Sequence, residues 1–519
     1  MLKQMKHIAV VGVSTVGSRI LGLARDILLF AALGAGLWNS AFLLAFTLPN
    51  LFRRLFGEGA LTSALVPVFS GVMEREGRSS AFSFFNQVFL RLFLVLFLLV
   101  AAGMLALVFA GRWGNLSREW AAGAELSVTL LPYMLLVCLA AGISAGLNLL
   151  GRFAVAALTP VLLNLSMIGS LLFGMWWTDD PKQIVYCLCA GVLFGGLLQF
   201  LAPAWDFMRQ GWRPRLDTGS REELGELWGL FVPGLMGAGI LQLNILVSRL
   251  LAYSLDEAAV SLLYLASRLM ELPLGIFTIS VATVYFPLMA RALAGRDDLG
   301  FGRALGQGMR LVAAIAVPAG IGLALLAPQI LEILFRRGAF EAADVAATAP
   351  LVAIYGLSLP FYSAATFAMR GLHAGKNMRT PVRVAGLCLL VNGVSGFILM
   401  QFFGAAGLAA GNGLAAVLQA ALLWRALARE HRVAGFYQLR RPFAKILLAG
   451  LGMGLVCFGG RALVTGFGLS DKLAASVTLV ALVPGCAALY FGLLYLLRFE
   501  EMDGLRRFLQ RFVAAGRSA

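Results

Sequence analysis

Charge is scarce in this chain. Of its 519 residues 13% are charged, and acids are the scarcer sign, 26 against 42 lysines and arginines. Hydrophobic residues make up 60% and the mean hydropathy is +0.85, more apolar surface than a soluble core buries. The nearest thing to an acidic motif, Asp297-Asp298, lies in a short loop, and there are three histidines. A membrane enzyme would need acidic metal clusters or a catalytic histidine, so that class is disfavoured. The six cysteines all fall in apolar runs without metal-ligand spacing to a histidine, so they read as small packing residues and no metal site is expected. Strict alternation of apolar and polar residues is missing, which excludes a membrane β-barrel. No gap between apolar runs can house a soluble domain. The longest, Arg209 to Glu226, reads as a basic, amphipathic surface segment.

What remains is an all-α polytopic membrane protein. Fourteen apolar runs are long enough to span a bilayer, at approximately 8–32, 40–72, 82–111, 124–150, 155–177, 183–208, 226–253, 259–290, 303–335, 345–373, 381–402, 405–428, 441–464 and 473–497. The first is read as a span rather than a cleaved signal, since Arg19 interrupts it and no small-x-small site follows. With the N-terminus inside, the inside loops receive roughly 27 lysines and arginines and the outside loops roughly 7, so both termini are expected to be cytoplasmic. The net charge of +16 is thereby absorbed by orientation and does not point to nucleic acid.

The chain also resembles itself. Ser63-Ala64-Leu65-Val66-Pro67-Val68 closes the second run, and Thr283-Val284-Tyr285-Phe286-Pro287-Leu288 closes the eighth. Thr159-Pro160-Val161 recurs as Thr380-Pro381-Val382. An interval of six spans keeps the same topology, which suggests two parallel six-helix lobes, 1–220 and 221–432, with 433–519 as an appendage.

Charges placed inside apolar runs carry the functional signal. In the first run Ser18 and Arg25 are seven apart, as are Arg19 and Asp26, making one polar stripe on a helix. A charge at mid-bilayer costs about 2.5–3.5 kcal/mol on insertion scales, so such residues face a bundle interior or a watery cavity. The alternative is a helix ending at Arg25 with its charges at the interface, but Ile27 to Ala35 continues apolar. In the second run Arg53 and Arg54 precede Glu58, with Arg54 and Glu58 four apart. In the eighth, Arg268 and Glu271 are three apart, just before Pro273. These two couples are either internal ion pairs that pin helices or parts of a binding site. Five arginines against three acids leave an excess of cations that an anion would balance, and arginine's planar fork suits the oxygens of a diphosphate. Arg91, Arg249 and Arg310 lie near span ends and read as snorkelling or structural.

Ser18-Arg19-Ile20-Leu21-Gly22-Leu23-Ala24-Arg25-Asp26 resembles the first-helix signature of the MurJ/MviN family of lipid II flippases, in the multidrug/oligosaccharidyl-lipid/polysaccharide exporter superfamily. Leu48-Pro49-Asn50-Leu51-Phe52-Arg53-Arg54, Glu58-Gly59-Ala60, Thr159-Pro160, Leu163-Asn164-Leu165-Ser166-Met167-Ile168-Gly169, Arg268-Leu269-Met270-Glu271 and Thr380-Pro381-Val382 fit it as well. The resemblance implies two six-helix lobes around a central cationic cavity, and two C-terminal helices forming a groove for the lipid tail. It implies a transporter, not an enzyme, that carries lipid II across the bacterial cytoplasmic membrane by alternating access. Arg19, Arg25, Asp26, Arg53, Arg54, Glu58, Arg268 and Glu271 would then line the substrate site.

Three positions depart from the family. Ser40, Ser248 and Ser267 stand where family members often carry acids, and span eleven offers Asn392 and Ser395. Serine supplies no charge, so sodium coupling is doubtful, no cofactor is expected, and the membrane potential becomes the candidate drive. The expected partners are lipid II or a related polyprenyl-diphosphate lipid and the bilayer, with cell-wall synthesis proteins as candidates and a monomeric chain. The alternatives are a flippase for another polyprenyl-diphosphate saccharide, another exporter of the superfamily, or, in a different class, a scaffold for cell-wall enzymes.

Overall fold

The computed structural model describes residues 2–57, 60–219, 222–430 and 437–502. Among them are fifteen α-helices and no strand. They are α1 (Leu2–Leu33), α2 (Leu37–Gly57), α3 (Ala60–Glu76), α4 (Arg78–Trp113), α5 (Arg118–Leu149), α6 (Phe153–Trp177), α7 (Pro181–Arg209), α8 (Glu222–Tyr253), α9 (Ala259–Pro273), α10 (Ile279–Ala294), α11 (Asp298–Leu334), α12 (Ala342–Ala374), α13 (Arg379–Glu430), α14 (Tyr437–Gly466) and α15 (Asp471–Leu496). A π-helical turn, Leu274–Thr278, joins α9 to α10 just after Pro273, whose missing N–H breaks the α-helical ladder.

Among the described residues, eleven helical stretches are, by length and composition, suited to crossing a membrane. The long α13 is two helices, because Gly404 (φ 57°, ψ −136°) takes a conformation only glycine holds without strain. With α2–α3 and α9–α10 each read as one crossing, the fourteen expected spans have fourteen counterparts. The tryptophans agree: Trp38, Trp113, Trp120, Trp176 and Trp177 sit at helix ends, and Trp205, Trp228 and Trp424 within about two turns of one.

The chain forms two compact units, 1–261 with 337–341, and 262–336 with 342–519. In the first, α6 and α7 meet through small residues on both sides. Gly191 and Gly195 face Ser166 and Ser170, with no room for a Cβ at Gly191, and Ser166 Oγ donates to Gly191 O at 2.6 Å. Lipid gives helices no hydrophobic reason to associate, so close backbone approach and interhelical hydrogen bonds do it. The seventh span, α8, packs on α2 and α3 in this unit. Its C-terminal end is fixed by buried Tyr253, whose hydroxyl donates to Glu119 O and whose ring meets Trp120 edge-on.

The segment before α8 is basic as expected but carries no helix. Trp212, 3% exposed, is boxed by Phe85, Phe89 and Phe207 and donates to Asn86 Oδ1 at 2.8 Å. Asn86 donates to Arg213 O, Ser83 to Asp217, and Arg91 to Gly219 O. Residues 212–219 are therefore a strap fastened to the start of α4, with Arg213 and Arg215 exposed. Arg91 is structural, as its position near a span end suggests.

In the second unit α11 is the central post. Against α12 the contact is glycine on glycine, at Gly320 and Gly356. Against α14, Gly450 and Gly454 approach Ile321, while Gly452 and Gly460 meet Leu493 and Leu482 of α15. Polar ties reinforce this. Arg310 donates to Glu501 and pairs with Glu500 at 3.4 Å, and Arg461 donates to Leu325 O at 2.8 Å. Arg336 bridges Glu332 and Asp471, both at 2.8 Å.

The most instructive tie is Tyr490. Pro318 has no N–H, so the Ala314 carbonyl one turn earlier loses its helical donor. The Tyr490 hydroxyl donates to that carbonyl at 3.0 Å, and the pair is buried. Tyr490→Phe is expected to cost about 1–3 kcal/mol by orphaning the carbonyl. In a Pro318→Ala background the helix supplies its own donor, and the same substitution should cost much less. Thermal unfolding of the four proteins in detergent measures the coupling; equal costs in both backgrounds would refute it.

Candidate functional site

The polar stripe of α1 lies against α6. Asp26 is fully buried, and the Arg25 side chain is 12% exposed. Adjacent residues on a helix point about 100° apart, so this pair is not one that helical spacing favours. It forms because the long arginine side chain folds back. Arg25 Nε and Nη2 both donate to Asp26 Oδ1, at 3.1 and 2.6 Å. Arg25 Nη1 donates to Asn164 Oδ1 at 3.1 Å and lies 3.9 Å from Met167 Sδ. The Asn164 amide in turn donates to Ser18 O at 3.1 Å. The Ser18–Arg25 line of the stripe therefore faces α6, and Arg25 meets Asp26 directly. Arg19, half-buried, has no side-chain partner among the described residues.

The Thr-Pro motif shapes the α6 side. Pro160 orphans the Ala156 carbonyl, and Thr159 Oγ1 donates to it at 2.8 Å. Gln199 of α7 donates to Thr159 O at 2.9 Å and accepts from the buried Tyr133 hydroxyl of α5 at 3.1 Å. The Tyr133 ring stacks on Phe46 of α2, with centroids 5.8 Å apart.

On α2 the helix is loosened around Pro49. Thr47 and Asn50 each donate a side-chain hydrogen bond to the carbonyl four residues back, at 2.6 and 2.9 Å, a pattern that bends helices. Arg53 Nε reaches Asn50 Oδ1 at 3.5 Å, and Arg54 is exposed. Glu58 lies outside the described residues, and with it the expected Arg54–Glu58 pair. In the second unit Arg268 and Glu271 form the expected pair at 3.3 Å, with side chains 28% and 49% exposed.

The three serines have local roles. Ser40, fully buried, accepts from Ser261 N at 3.3 Å, while Ser261 Oγ donates to Ala35 O. Ser267 donates to Tyr264 O at 2.9 Å, and Ser248 also has a partner. Among the described residues no group of three or more His, Cys, Asp or Glu side chains could hold a metal ion.

Sequence reasoning did not single out Asn164 for a role, although an asparagine four residues after Pro160 in an apolar helix was a usable signal. An amide buried in lipid must find partners.

The family model described as "Lipid II flippase MurJ" matches residues 29–478. A "Probable lipid II flippase MurJ" of Rhizobium tropici is 31% identical over 521 residues, covering 98% of this chain and 97% of the relative. Among solved structures, "Lipid II flippase MurJ, inward closed conformation" superposes with a TM-score of 0.79 at 24% identity, over 95% of this chain and 99% of that one. An inward-facing multidrug resistance MATE family transporter of the MOP superfamily superposes at 0.65 with 12% identity, over 80% of this chain and 94% of the other.

Proposed function

The chain belongs to the MurJ family of lipid II flippases, and from that membership we propose that it carries lipid II from the inner to the outer leaflet of a bacterial cytoplasmic membrane. The protein is a multi-pass membrane protein of peptidoglycan biosynthesis. The observation that carries the reading furthest is Arg25, embedded in the first helix and braced by Asp26 and Asn164. A braced guanidinium is a preorganised receptor for a diphosphate. Arg19, Arg53, Arg54 and Arg268 would add charge, and Asp26 and Glu271 would orient arginines or exchange partners as access alternates between the two faces. The two six-helix lobes, 1–220 and 221–432, would close around the headgroup while 433–519 accommodates the lipid tail, with both termini in the cytoplasm.

The test is complementation. Expressed in bacteria depleted of their own lipid II flippase, this chain should restore growth. A well-inserted chain that neither rescues nor binds purified lipid II, but binds another polyprenyl-diphosphate saccharide, would move the assignment to that substrate.

The drive proposed is the membrane potential. A diphosphate with about two negative charges moves outward from an inside-negative cytoplasm, and at about 2.3 kcal/mol per charge per 100 mV the field contributes roughly 4–5 kcal/mol. The Ser40 and Ser267 hydroxyls, committed to local hydrogen bonds, supply no charge for a cation. Lipid II transport in vesicles is expected to fall steeply when the potential is collapsed and to be indifferent to replacing sodium with potassium. Undiminished transport at zero potential would refute this drive.

A further inference from the structure

Asn164 is an expensive residue to place where it is. It sits on α6, 6% exposed, and a leucine there would bury without needing hydrogen bonds. Its two polar atoms are both used, and both on α1. Oδ1 accepts from the Arg25 guanidinium and Nδ2 donates to the Ser18 carbonyl, each at 3.1 Å. Ser18 and Arg25 are two helical turns apart, and the long Arg25 side chain reaches back so that one amide meets both its guanidinium and the Ser18 carbonyl. That fixes both the rotation and the height of α1 against α6.

The two groups holding Arg25 differ in charge. Asp26 takes the Nε and Nη2 edge as a counter-ion, whereas Asn164 takes Nη1 and adds no negative charge. We propose that Asn164 is a positioning residue for the anionic ligand: it fixes the guanidinium of Arg25 in place without cancelling the cation that the diphosphate requires. The proposal rests on the reading that Arg25 binds the diphosphate. A neutral acceptor is what the position demands. A carboxylate at 164 would hold Arg25 as firmly but give it a second negative partner in a low-dielectric setting, in competition with the ligand. Moving the carboxylate from α1 to α6, by exchanging the two side-chain types, would restore the charge balance.

The experiment is binding of undecaprenyl diphosphate and of lipid II to purified full-length protein in detergent, with thermal unfolding of every variant. Asn164→Ala should weaken binding by about five- to tenfold, less than the loss of a whole charge-assisted hydrogen bond because the Arg25 cation stays and only its orientation is lost. Asn164→Asp should weaken it by tenfold or more, and Asn164→Asp with Asp26→Asn should recover to within about threefold of the parent. A side chain that only packs helices would show affinities that follow the melting temperatures and no rescue by the exchange. Parental affinity in both Asn164→Ala and Asn164→Asp, with Arg25→Gln defective, would overturn the role of Asn164 and leave the substrate site standing. Parental affinity in Arg25→Gln would overturn the site itself. Should Asn164→Asp fail to fold, Asn164→Ala alone decides between these outcomes.

Discussion

Arg25→Ala is expected to abolish rescue of flippase-depleted cells at membrane levels equal to the parent. The guanidinium is 12% exposed and engaged by two neighbouring side chains, so its removal takes away a fixed cation rather than a mobile one. A charge-assisted hydrogen bond is worth about 1.5–3 kcal/mol, so loss of the fork should weaken diphosphate binding by about ten- to a hundredfold. Arg25→Lys keeps the charge but not the planar fork, and should fall between parent and alanine. The substitution has a second effect: Asp26, fully buried, loses its 2.6 Å ion pair with Arg25, and breaking a buried pair costs about 3–5 kcal/mol. Removing both charges separates the two effects. Arg25→Ala with Asp26→Ala should regain much of the lost thermal stability and still fail to rescue. Growth of that double variant would mean that Arg25 matters for folding alone. Arg268→Ala should also lose rescue, with a smaller change in stability because its pair with Glu271 is more exposed.

Gly356→Val is expected to be the most damaging single change in the second unit. A Cβ at Gly356 would lie 2.8 Å from Gly320 O and 3.0 Å from Ala324 N, and one at Gly320 would run into Gly356 O. These are backbone atoms of a packed helix, so no side-chain rotation relieves the overlap. The approach is close for a reason: Pro360 deprives Gly356 O of its helical N–H, and the Gly320 backbone comes against that carbonyl. Valine would force α11 and α12 apart, and overpacking in a close-packed interior costs about 3 kcal/mol or more. The measurement is the yield of monodisperse protein and its melting temperature in detergent. Gly322, on α11 two residues beyond Gly320 and with nothing within 4 Å of a Cβ, is the control. Gly322→Ala should be neutral or stabilise by about 0.5–1 kcal/mol, since glycine is a poor helix former. Equal losses at 356 and 322 would sink the packing argument.

The sequence by itself determined the class of this protein and the course of its helices. Bilayer thickness sets a length and hydropathy sets a composition, and both are properties of a contiguous stretch. The break at Gly404 fell between the two runs that hydropathy had separated, and tryptophan gathered near helix ends because its amphipathic ring belongs at the interface. The arginine-rich first helix was also legible, since a charge inside an apolar run needs no partner in view to be conspicuous. What the tertiary structure decided was pairing. Helical spacing placed Arg19 and Asp26 on one stripe without naming a partner for either; Arg25 takes Asp26, and Asn164 on another helix receives its far edge. The segment after Arg209 read as a surface stretch, yet Trp212 and Asp217 fasten it to α4, where Phe85, Asn86 and Ser83 await them. Nothing along the chain singled out Tyr490, whose hydroxyl meets the carbonyl that Pro318, 172 positions earlier, leaves without a helical donor. Composition and period are written along the chain; a hydrogen-bond partner on another helix is fixed only once packing has set rotation and height.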